Sequence, residues 1–200
     1  MLAPADRLGP MSDIAIQTSD DRRVRRTREA LRTAFRELFF AHGYDAISIA
    51  DIAARADVGR STFYKHFDGK EDLLARSLTP FLEVIAQASV SAAEPAGLVR
   101  VVEHFWENRR HARTVFAGGS LVLMTRILAG QIEDRLPRPR CGASGLPANL
   151  AACQLATAQL TLLTQWLLGR GACSPTVLAS AMHSSGYASA RALMGQGAQA

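Results

Sequence analysis

With 200 residues, 48% of them hydrophobic and 20% charged, the chain is long enough for one compact domain or two small ones and is not a disordered polyelectrolyte. Its formal charge of +5 and isoelectric point near 9.6 suggest a polyanionic partner. The basic side chains are nearly all Arg, the type suited to bidentate phosphate and guanine contacts.

Residues 1–20 hold Pro4, Asp6, Arg7, Pro10, Asp13 and Asp20 without an apolar run. They predict a flexible extension rather than a secretory signal, and Met11 could serve as an alternative start. The first helix begins in an arginine cluster, Arg22, Arg23, Arg25, Arg26 and Arg28. Its apolar residues Leu31, Ala34, Phe35, Leu38 and Phe39 recur at steps of three and four, which makes one buried stripe. Gly43 ends it. A second helix starts at Ser48, with Asp51 three residues on to close a capping box, and Ile49, Ile52 and Ala53 form its inner face.

Asp57-Val58-Gly59 predicts a tight turn, with Asp57 able to take the left-handed conformation. A third helix follows over about 60–67. Helical spacing puts Phe63 and Phe67 on one side, facing the core. Ser61, Thr62 and Lys65 then fall opposite, with Tyr64 and His66 on the flanks. The pattern that buries the phenylalanines therefore presents residues able to grip DNA, which is the grammar of a helix-turn-helix.

Asp68-Gly69-Lys70 restarts a helix through Leu73, Leu74 and Leu78, and Thr79-Pro80 predicts a kink or a fresh start. Further helices are expected at about 80–92, 96–109, 110–117, 119–135, 147–169 and 175–194, the last opened by Ser174-Pro175. The stretch from Pro137 to Pro147 predicts an exposed loop. No strand alternation and no internal repeat appears, so the fold class is all-α. Three regions follow: an extension over 1–20, a charged helix-turn-helix unit over 21–78, and an Ala/Leu-rich helical region over 79–200.

The run from about Arg25 to Leu78 resembles the TetR/AcrR family of one-component transcriptional regulators. The resemblance rests on the basic first helix, on FFAHGYDAISIADIAARADV, and on Thr62-Phe63-Tyr64-x-His66-Phe67 followed by Lys70-Glu71. Asp57 stands where the turn often has Gly, and Gly59 and Gly69 stand at caps that are often Ser, which removes two hydroxyls able to touch phosphate. The resemblance implies an N-terminal three-helix DNA-binding domain followed by a C-terminal helical ligand-binding and dimerisation domain. It implies that Arg60, Ser61, Thr62 and Lys65 approach base edges or nearby phosphates, and that Tyr64 and His66 clamp the backbone. Ser48 and Lys70 would hold phosphate from helix ends, and the arginine cluster, Arg25 and Arg28 included, would lie on the backbone or in the minor groove.

Between Cys141 and Ala190 the only Asp, Glu, Lys or Arg is Arg170. The helix carrying this bare face holds Asn149, Gln154, Thr157, Gln159, Thr161, Thr164 and Gln165, too polar for a membrane span. Burial against its own domain and a second copy is the better reading. Candidate interface residues are Leu155, Leu160, Leu163, Trp166, Leu167, Leu178 and Met182. The resemblance also implies a small-molecule pocket, for which Phe81, Phe105, Trp106, Phe116, Met124, Arg126 and Trp166 are candidates, and the scarcity of charge predicts a largely apolar or aromatic effector.

The expected function is a cytoplasmic homodimeric repressor that binds a palindromic double-stranded DNA operator and is released by that effector. No enzymatic activity, cofactor or metal is expected. Cys141, Cys153 and Cys173 fit no metal spacing, cannot all pair within one chain, and point to a reducing compartment. A thiol-redox-responsive regulator on the same scaffold is the alternative. A Cys-dependent enzyme is a further one, though no motif places His or an acid beside either Cys153 or Cys173.

Overall fold

Residues 11–42 contain neither Gly nor Pro, and Pro10 is the last residue before them that opposes a helix interior. In the computed structural model, which describes residues 11–137 and 145–195, a single helix occupies this run: α1, Met11–His42. It begins ten residues into the stretch expected as an extension; residues 1–10 lie outside those described. Gly43 ends α1 in the left-handed conformation, φ 81°, with its amide on the Phe39 carbonyl.

Helix α2, Ile49–Arg55, carries the capping box expected from Ser48 and Asp51. The Ser48 hydroxyl accepts from the Asp51 amide at 3.2 Å, and the Asp51 carboxylate accepts from the Ser48 amide at 2.8 Å. The helix ends at Asp57, left-handed at φ 54°, where the Val58 amide reaches back to the Ala53 carbonyl. Helix α3, Arg60–Tyr64, is shorter than the expected span to residue 67. Lys65 and His66 turn instead, and the amides of His66 and Phe67 share the Phe63 carbonyl.

Helix α4, Lys70–Val90, runs unbroken through Pro80, where a kink or fresh start was expected. An interior proline costs about 3 kcal/mol. Leu74, Leu78, Leu82 and Ile85 are all buried along the same helix, and each buried aliphatic chain returns about 1.5–3 kcal/mol, so continuity wins. Pro80 itself is exposed, and the neighbouring Thr79 hydroxyl bonds the Ala75 carbonyl.

The remaining helices are α5, Leu98–Glu107; α6, Arg109–Val115; α7, Gly118–Glu133; α8, Ala148–Leu167; and α9, Pro175–Leu193. Among the described residues the chain is all-α. Helices α6 and α7 meet at 81°. Helix α4 is the spine: it leaves the helix-turn-helix and packs on α7 and α9, while α8 closes against α7 and α9. The expected loop over 137–147 lies mostly outside the described residues, as does Cys141.

At the crossing of α9 over α4, Gly186 is buried, and a Cβ there would lie 3.1 Å from Ser89 Cα and 2.5 Å from Gln159 Nε2. Gln159 is itself buried and donates to the Met182 carbonyl at 2.9 Å. No single helix among the described residues is long and apolar enough to cross a membrane.

Candidate nucleic-acid interface

Phe63 is 0% and Phe67 2% exposed, so the short α3 is pinned by its two aromatic residues against the core that α1 supplies through Leu31, Phe35 and Phe39. Opposite them, Arg60, Ser61, Tyr64 and Lys65 are exposed and Thr62 is half-buried. The Tyr64 side chain is 51% exposed and stands edge-on to Phe63. These residues form one outward face, as helical spacing predicted.

His66 is half-buried, and its imidazole is held below the ordinary histidine range. Burial is the larger cause, followed by the positive charges of Arg28 and Lys65. Arg28 on α1 and Lys65 beyond α3 thus act on one side chain. Arg25 and Arg28 of α1 and Lys65 beyond α3 are all exposed, and Arg28 and Lys65 flank His66 closely enough to act on it together. An anion placed there would relieve mutual repulsion.

Two expected phosphate ligands are otherwise engaged. The Ser48 hydroxyl is closed within its capping box, 2.6 Å from the Asp51 carboxylate, which holds the Asp51 carboxyl below the usual range. Lys70 departs further from expectation. Its Nζ donates to the carbonyls of Tyr44 and Ile47, both at 3.0 Å, and sits 4.5 Å above the Tyr44 ring. Two of three ammonium donors therefore fasten the loop between α1 and α2. Sequence reading could not find this, because the partners are backbone atoms 23 and 26 residues away.

The glycine caps act as expected: neither Gly59 nor Gly69 offers a side-chain bond. At the second, Asp72 compensates by accepting from the Asp68 amide at 3.2 Å while pairing with Arg76 at 2.7 Å. A link that sequence reading missed joins this unit to the rest of the chain. Asp45, in the same loop that Lys70 fastens, accepts from the Gly119 amide at 3.2 Å, at the first turn of α7.

The helix-turn-helix has its counterpart among known proteins. A family model described as bacterial regulatory proteins, tetR family, matches residues 31–76. The N-terminal helix-turn-helix unit is therefore of the tetR-family type. It is similar to the transcriptional regulator TcmR of Streptomyces glaucescens, 40% identical over 114 residues, 56% of this chain and 43% of that one. The matched stretches span less than half the length of the curated relatives. Among solved structures, a TetR-family regulator from Streptomyces coelicolor is 26% identical with a TM-score of 0.59, over 82% of this chain and 94% of the other. A TetR regulator from Streptococcus agalactiae shares the fold, with a TM-score of 0.58 at 23% identity over 84% of this chain and 98% of that one.

The residues expected to line an effector pocket separate. Phe81 and Phe105 do line a cavity of about 380 Å³, which lies between α1, α4, α5 and α6. The other five do not. Trp106 and Trp166 stack on one another with centroids 4.5 Å apart, and the Trp166 indole donates to the Cys173 carbonyl. Phe116 packs edge-on against Phe105, and Met124 is wholly buried. Arg126 is exposed, 4.0 Å from Glu71.

The expected interface residues also need correction. Leu155, Leu160, Leu163, Trp166, Leu167, Leu178 and Met182 are all at most 3% exposed within the single chain and belong to its own core. The faces of α8 and α9 that do reach the surface carry Leu150, Cys153, Thr157, Ala158, Leu162, Val177, Ala181 and Ser184 instead. Cys153 and Cys173 are free and exposed. Among the described residues no group of His, Cys, Asp and Glu is arranged to hold a metal ion.

Proposed function

We propose that this chain is a ligand-responsive transcriptional regulator that binds a palindromic operator as a dimer, represses while unliganded, and is released by a small effector. The observation that carries the reading is the two-sidedness of α3: Phe63 and Phe67 are buried, while Arg60, Ser61, Tyr64 and Lys65 are exposed beside the basic face of α1. The match of residues 31–76 to the tetR-family model supports reading that face as a recognition surface rather than a solvated one.

In this reading Arg60 reads a guanine edge through its two-pronged guanidinium, and Ser61, Thr62 and Lys65 approach bases or adjacent phosphates. Tyr64 and His66 clamp the backbone, and Arg25 and Arg28 lie along it or enter the minor groove. Phosphate contacts set register, and only the base contacts choose sequence. Lys70 acts through the loop it fastens, with its third donor left for phosphate. Ser48 directs the start of α2 towards the backbone while its hydroxyl keeps the cap.

The dimer reading draws on the outer face of α8 and of α9 as far as Ala190, which carries no charged residue and where Leu150, Leu162 and Val177 stand exposed. A two-fold pairing through that face sets two α3 helices on successive major grooves, roughly 34–36 Å apart. An effector with unequal affinity for the DNA-bound and free arrangements then shifts the population.

Capture of sheared genomic DNA by the purified chain tests this reading, with a Tyr64→Ala/Lys65→Ala variant in parallel. Enrichment of a few fragments by the wild type alone supports it. Equal, unselective retention by both proteins contradicts it.

A further inference from the structure

The cavity of about 380 Å³ falls within the usual range for small-molecule sites, about 300–1,000 Å³. One of its walls is α1, the helix that carries the arginine cluster and the core of the helix-turn-helix. We propose that this junction cavity binds a planar aromatic acid, and that occupancy displaces α1 and thereby weakens DNA binding. The proposal rests on the regulatory reading above and assigns that regulation a site and a ligand class.

Flat rings dominate the lining, and they are paired across helices. Phe40 of α1 stacks on His111 of α6, with centroids 4.3 Å apart and planes 23° apart. Phe81 of α4 stacks on His104 of α5 at 4.9 Å and 15°. Each stack offers π faces and a ring nitrogen, a combination suited to a flat ring that carries polar substituents. The Phe40–His111 pair bridges the boundary between the helix-turn-helix unit and the rest of the chain.

Charge supplies the second half of the assignment. Arg32 and Arg36 lie four residues apart on α1 and both line the cavity, so they share one side of the helix. Neither closes an ion pair among the described residues. Against them stands one carboxylate, Glu29. A guanidinium matches a carboxylate with two parallel hydrogen bonds, so the imbalance selects an anion. An apolar neutral ligand would leave both arginines beside an uncompensated surface.

The coupling follows from where α1 goes next. Leu31, Phe35 and Phe39 of α1 are buried in the core that positions α2 and α3, and Phe35 and Phe39 also line the cavity. A ring inserted between α1 and α6 therefore acts on side chains that hold the recognition helix.

The test uses one-, two- and three-ring aromatic carboxylates, from benzoate through 2-naphthoate to anthracene-2-carboxylate, each beside its neutral amide. Binding to the full chain is read by calorimetry, and capture of selected DNA is read in the same samples. At least one acid is expected to bind one per chain, about tenfold or more tighter than its amide, and to reduce DNA capture. An Arg32→Gln/Arg36→Gln variant with unchanged helicity and melting temperature is expected to lose that preference. A Phe40→Leu variant is expected to keep the preference for acid over amide with weaker binding of both.

No binding up to millimolar acid, equal binding of acid and amide, an unaffected arginine variant, or bound acid without loss of DNA capture each overturns the proposal. DNA capture by the unliganded chain separates the two readings. If it persists while the acids fail, the site assignment alone falls; if it is absent from the start, the regulatory reading falls.

Discussion

Lys70 and Lys65 are the only lysines in the chain, and the structure gives them different tasks. Lys65 is exposed on the recognition side, whereas the Lys70 ammonium is spent on two carbonyls. Lys65→Ala is therefore expected to lower the slope of log affinity against log salt by about 1 with no change in melting temperature. Lys70→Ala is expected to cost about 1–3 kcal/mol of stability and to weaken binding to every DNA sequence alike. Salt titrations beside thermal melts separate them, and a Lys70→Ala protein with wild-type stability contradicts the fastening role. Arg60→Ala should relax discrimination at one base position, by about 1–3 kcal/mol, read from binding to single-base variants of a selected site. Asp51 and Asp72 both have carboxyls held below their ordinary value of 3.8, Asp51 by the Ser48 bonds and Asp72 by Arg76 and the Asp68 amide, against the burial that opposes the shift at Asp72. A lowered folded pKa makes their stabilisation complete above the unfolded value and lost as pH falls through the folded one. The stability gap between the wild type and Asp51→Asn should therefore narrow from about pH 5 to pH 3, as followed by denaturant melts. A gap that stays constant over that range sinks the assignment.

Helix positions were legible where local chemistry marks them. Ser48 with Asp51, left-handed Asp57, and Ser174 before Pro175 each sit at the boundary that their side chains predict. Pro80 misled because a proline is a local signal, while the continuity of α4 is decided by Leu74, Leu78, Leu82 and Ile85 packing on distant helices. The link between Asp45 and α7 was invisible for the same reason, since its partners are 74 residues apart. That link makes a demand on sequence: a Cβ at Gly119 would lie 2.5 Å from Asp45 Oδ1, and one at Gly118 would lie 2.6 Å from Oδ2. Gly118 also holds φ at 55°. Gly119→Ala and Asp45→Ala are each expected to remove the same cap and to cost about 0.5–2 kcal/mol. Their double variant should cost little more than either alone; additive losses in a thermal double-mutant cycle show that the two residues act separately.

At the scale of the whole molecule, the missing charge between Cys141 and Ala190 pointed to helices with a face to cover, but it could not say which face the chain itself already covers. Leucine periodicity picked Leu155, Leu160 and Leu163, and these fill the chain's own core. Leu150, Leu162 and Val177 are left over, 55%, 38% and 58% exposed. Leu162→Lys is accordingly expected to give a folded monomer by sedimentation, with cooperative DNA binding lost; an unchanged dimer would place the pairing face elsewhere. The cavity at the junction was hidden because one of its walls comes from α1, whose stripe of phenylalanines reads only as core. The central claim, that a pair of α3 helices reads two half-sites, is tested most directly by selecting bound sequences from a random pool of double-stranded DNA. The account predicts an inverted repeat with half-site centres about one helical turn apart, absent when the Tyr64→Ala/Lys65→Ala variant is used. A pool that retains no common motif, with binding that only falls as salt rises, contradicts it.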